Sequence, residues 1–152
     1  MAGAGLTGCG FQPAFGPGGT ANALKDQVYV DSPTDKNAFD LVERLEQRLG
    51  RTSAPRYGLA YVIKTEALGV GISPENAITR FNVTGSVSFT LRNHATGETL
   101  TSGLVQSFTG YSTTGTTVST LTAERDASAR LMVMLADQIV ARLIATSGTW
   151  QR

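Results

Sequence analysis

From Arg80 to Arg92 the chain alternates without a break. Phe81, Val83, Gly85, Val87, Phe89 and Leu91 interleave with Arg80, Asn82, Thr84, Ser86, Ser88, Thr90 and Arg92. A period of two sustained over this length fits a strand with one buried and one polar face, and it fits no helix. Asn93-His94-Ala95-Thr96-Gly97 supplies turn residues, so Thr99 to Tyr111 is expected to return as an antiparallel partner, packing through Leu100, Leu104 and Phe108. Tyr57 to about Leu68 is a third strand-like run, and Gly69, Gly71, Ser73 and Pro74 mark a turn after it. Gln27 to Val30 reads as a short first strand.

Two helical periods complete the pattern. Ser32-Pro33-Thr34-Asp35 offers a cap, a first-turn proline and a carboxylate for the helix N-terminus; Leu41, Val42, Leu45 and Leu49 then form one apolar stripe, ended by Gly50. After a Ser/Thr/Gly stretch over 112–122, a second helix is predicted from Thr120 or Thr122 to Thr146. Its buried face is Met132, Leu135, Ala136, Ile139 and Leu143, widened by Ala129, Val133 and Val140. The order β-α-β-β-β-α predicts an α+β fold, with two helices packed on one face of a four-stranded, mostly antiparallel sheet.

Composition narrows the function. Thirteen basic against twelve acidic residues leave a net charge of +1, which argues against a nucleic-acid binder held by a basic stripe. Charged residues are only 16% of the chain, while 11 Ser and 20 Thr make the polar surface hydroxyl-rich. A single Cys forms no internal disulfide, and with a single His it builds no zinc site, so no cofactor is expected.

Leu6-Thr7-Gly8-Cys9 resembles the bacterial lipobox, in which a Leu and two small residues precede a Cys whose thiol takes a diacylglyceryl group. The bland alternative is a lone Cys acting as a small core hydrophobe. On the lipobox reading Cys9 is the lipidation site, and residues 1–8 are the remnant of a signal peptide. Residues 9–24, rich in Gly and Pro, are a tether, 25–147 a single domain and 148–152 a tail. Acyl chains bury at roughly 0.8 kcal/mol per methylene, so such an anchor holds the protein on a membrane. Gly3, Gly5 and Gly8 match the dinucleotide fingerprint only formally, because no strand precedes them.

Cys9-Gly10-Phe11-Gln12-Pro13-Ala14-Phe15-Gly16 resembles the mature start of the lipopolysaccharide-assembly lipoproteins, the LptE family. The resemblance implies an outer-membrane lipoprotein on the periplasmic face, with two helices on one face of a small sheet. It also implies two partners, lipopolysaccharide and the translocating β-barrel LptD, whose lumen the protein plugs.

No catalytic constellation stands out. His94 lies in a predicted turn without a second His or a nucleophile elbow, and Asn82-Val83-Thr84 is a sequon placed inside a strand. Glu43 with Glu46, and Glu124 with Asp126, read as solvated helix faces. The hydroxyl-bearing face of the strands is either a solvated sheet face or a surface suited to a polar barrel lumen. Lys64, Arg80 and Arg92 are candidate contacts for lipid phosphates, with edge protection as the plainer reading of the arginines. The expected function is binding rather than catalysis. Rival readings are an auxiliary lipoprotein of an ABC-type transport system and a small periplasmic enzyme.

Overall fold

The computed structural model describes residues 19–151. Its elements are α1 (Thr20–Leu24), β1 (Val28–Val30), α2 (Lys36–Leu49), β2 (Tyr57–Ile72), β3 (Ile78–Asn93), β4 (Thr99–Ser112) and α3 (Thr117–Trp150). The sheet runs in chain order β1-β2-β3-β4, with β1 parallel to β2 and the other pairs antiparallel. A parallel neighbour needs a crossover, and α2 provides it. The α+β architecture and the order of the six predicted elements hold. The short helix α1 is added before them.

The strict alternation of β3 makes it the interior strand of the three long ones. Val83, Val87, Phe89 and Leu91 are buried toward the helices, as are Leu59 of β2 and Val105 of β4. Gly85 lies under α3: a Cβ there would stand 2.9 Å from Leu131 and 3.1 Å from Leu135. Leu41, Val42, Leu45 and Leu49 of α2 are buried, as are Met132, Leu135, Ala136, Ile139, Val140 and Leu143 of α3. Val133, placed on the buried face by sequence, is exposed. Leu131, on the opposite side of the same turn, fills the core instead.

Several boundaries move for local reasons. Asp35, not Ser32, caps α2, its Oδ1 accepting the Ala38 N–H at 2.9 Å. Gly69 and Gly71 belong to β2, where the register with β3 shifts, and the turn falls on Ser73–Ala77 instead. The loop before α3 shrinks to Thr113–Thr116. Thr116 caps the helix by accepting the Ser119 N–H, and the helix runs on to Trp150, whose ring meets Tyr57 edge-on at 5.4 Å. α3 is long and apolar enough to cross a membrane, yet Leu131, Met132, Leu135, Ile139, Val140 and Leu143 are buried in the core, while Val118, Leu121, Val133 and Met134 are exposed. A bidentate pair joins the helices, Arg44 Nε to Asp137 Oδ1 at 3.0 Å and Nη2 to Oδ2 at 2.9 Å. That hydrogen bonding raises the Arg44 pKa further.

Candidate functional site: the open sheet face

Helices cover one face of the sheet, and the register assigns the other. Across β2, β3 and β4 the open face carries the rows Val62–Ser88–Leu104, Lys64–Ser86–Gln106, Glu66–Thr84–Phe108 and Leu68–Asn82–Gly110. The predicted hydroxyl lane is therefore real and belongs to β3. Its flanks are apolar: Val62, Leu68, Leu104 and Phe108 are all more than half exposed, Phe108 to 67%.

Sequence reasoning put Leu104 and Phe108 into the core, and the structure corrects this. Val105 is the buried residue of β4. Register arithmetic alone would not have found them. Counting back from Asn93–Glu98 and Arg92–Thr99 sets Leu104 opposite the buried Val87, and only the irregularity that skips Leu100 moves it onto Ser88.

A shallow depression of about 340 Å³ lies mid-face, lined by Lys64, Glu66, Thr84, Ser86 and Gln106 among others. Lys64 and Glu66 are the two charges of its floor. Arg80 and Arg92 sit at opposite ends of β3, twelve residues apart, which at 3.3 Å per residue is roughly 40 Å. The three candidate phosphate contacts are not brought together into one cluster. Arg92 instead lies 3.8 Å from Asp31 at the β1 end, both side chains about half exposed, beside a small pocket with Tyr29 and His94. The His94 ring faces Tyr29 edge-on, with centroids 6.2 Å apart, and its backbone N–H bonds the Arg56 carbonyl. Among the described residues no group of three His, Cys, Asp or Glu converges as metal ligands would.

On the helix side, Phe81 and Tyr111 stack at 5.6 Å where the helical cover thins. Burial, then the Glu124 charge, raises the Tyr111 pKa, and burial with Asp31 and Asp35 raises that of Tyr61. Leu6, Thr7, Gly8 and Cys9 lie outside the described residues.

A four-stranded mixed sheet, helices on one side only and a bare opposite face define a small α+β domain of a kind found in bacterial lipoproteins. A candidate lipoprotein from Caulobacter crescentus CB15 superposes with a TM-score of 0.69 at 16% identity, over 83% of this chain and 93% of that one. The rare lipoprotein B of Shewanella oneidensis gives 0.63 at 11%, over 83% and 98%. A minor lipoprotein of Acinetobacter baumannii gives 0.58 at 17%, over 82% and 92%. At such identities the likeness establishes the fold. Among curated protein sequences nothing matches. The family model described as LptE, lipopolysaccharide-assembly, matches residues 26–143, and the chain belongs to that family.

Proposed function

We propose that this protein is an outer-membrane lipoprotein, anchored on the periplasmic side through lipid on Cys9, that seats inside an LptD-type β-barrel and assists lipopolysaccharide insertion. The open sheet face is the observation that carries the reading. It combines a central lane of Thr and Ser hydroxyls, two charges at its middle and four exposed apolar side chains on its flanks. An uncovered face of this extent suits a partner surface. Hydroxyls exchange water for the hydrogen bonds of a polar barrel lumen without the desolvation cost that charges carry. The work is done by binding and shape rather than by catalysis.

Lys64, Arg80 and Arg92 remain the proposed phosphate contacts, now as three separate points. A guanidinium meets a phosphate through charge-assisted, bidentate bonds, so each arginine can act alone.

The test is affinity purification of the lipidated protein from detergent-solubilised outer membrane, followed by mass spectrometry. A stoichiometric large β-barrel is the expected companion. A permease complex would favour the transport-system rival, and no companion at all would remove the barrel from the account.

A further inference from the structure

β4 is the last strand of the sheet, and its outer edge is unusually bare. The bond from Thr113 N–H to Thr79 O fixes the phase of the ladder: odd residues of β4 bond to β3, and even residues turn N–H and C=O outward. Natural edges are commonly blunted by Lys, Pro or bulges within the strand. Thr99–Ser112 has no charged residue and no Pro, and pairs with β3 in unbroken register from Thr101 to Ser112.

Protection comes only from α3, and it is partial. Arg142 Nη1 donates to Leu104 O at 2.8 Å, and Arg130, whose Nη1 pairs with Asp126, reaches Gly110 O with its Nη2 at 3.5 Å. Between them the outward N–H and C=O of Gln106 and Phe108 have no protein partner among the described residues. A groove of about 510 Å³ runs beside Leu104–Gln106 of this edge, walled by Gln138, Ala141, Arg142 and Ala145 of α3. Arg142 has no carboxylate within 4.0 Å among the described residues.

We propose that this edge takes up an extended segment of the barrel partner by strand addition, with a carboxylate of the segment on Arg142. The inference rests on the barrel reading above. Alternating outward donors and acceptors at ladder spacing match an extended backbone and little else. The small side chains of Ala141 and Ala145 leave room for the side chains of the added strand. A second copy of β4 fits less well, since Thr99–Ser112 carries no carboxylate to meet Arg142. A closed barrel wall has no free strand edge, so the segment comes from a luminal loop or terminus of the partner.

The test places a photo-crosslinking amino acid at Gln138 or Ala141 in the groove, at Ser88 on the open face and at Glu43 on the outer side of α2, in full-length lipidated protein in its membrane. Both groove positions are expected to link to one segment of the barrel protein, and Ser88 to link elsewhere on it. Q106P, which deletes an outward N–H, should abolish the groove links while the Ser88 link persists, which also reports a folded, docked protein. R142E should lower the groove links roughly tenfold, the scale of one charge-assisted bond, and R142K should retain them. Ser88 links without groove links would overturn strand addition and leave the plug standing. Groove links to a second copy, or links indifferent to both Q106P and R142E, would also overturn it. Absence of any link to the barrel from any position would sink the barrel reading and this inference together.

Discussion

Gly85 and Gly97 illustrate two different demands for a missing side chain. Gly85 is needed for space, since α3 seats Leu131 and Leu135 on it. G85A should therefore destabilise the fold by about 1–3 kcal/mol through overpacking, read as a lower urea midpoint at unchanged slope. Gly97 sits at φ +73° with nothing within 4 Å of a Cβ, so G97A meets only left-handed backbone strain, about 1 kcal/mol. The tyrosines make a statement about pH. Tyr61 and Tyr111 have folded pKa values raised chiefly by burial, which favours the neutral phenol. Their contribution is complete below the ordinary value of about 10 and is lost as pH climbs through the raised values. Denaturation midpoints should fall in that alkaline window. Y111F should lessen the fall, whereas an unchanged pH profile in Y61F and Y111F together would remove both groups from it.

At the scale of elements, the sequence disclosed most where one rule acted alone. β3 alternates because one face meets helices and the other meets solvent, and α2 shows a single stripe because it packs on one side. D35A, which removes the cap observed on α2, should cost about 1 kcal/mol, while S32A should cost almost nothing. Thermal melts of the two variants decide between the caps. Legibility failed where two signals competed. The Ser/Thr-rich run over 112–122 has the composition of a loop, yet its hydroxyls serve the helix: Thr116 caps it, and Thr122 Oγ1 donates to Val118 O. β4 failed for another reason. Its apolar residues at 100, 104 and 108 keep a spacing of four, as one strand face would, but the ladder skips Leu100, which packs against the core while Leu104 and Phe108 face outward, so facing could be learned only from the pairing with β3. The same gap hid the apolar flanks of the open face, and with them half of the candidate site. The outward edge of β4 is a property of hydrogen-bond phase, which no side-chain pattern displays.

Across the whole molecule, anchor, face and charge can be separated experimentally. C9A in a chain carrying a complete signal peptide should release the protein into the soluble periplasm, and retention in the membrane would refute lipidation. Because Arg80 and Arg92 stand roughly 40 Å apart by strand rise, R80E and R92E should weaken lipopolysaccharide binding independently, their effects multiplying in the double variant. Binding unaltered in all three would take both arginines out of the account. Burial is also unevenly distributed along the molecule. β2 has no buried residue beyond Leu59, the first in β3 is Val83, and the first in α3 is Ala127. The β2–β3 hairpin end and the opening turns of α3 are held by backbone bonds with almost no core beneath them. Amide exchange should accordingly be graded, slow around Leu91, Ile139 and Leu143 and fast toward Ile72, Ile78 and Val118, well before global unfolding. A chain built this way carries a firm base and a pliable prow, and the prow can take the shape of whatever encloses it without loosening the base.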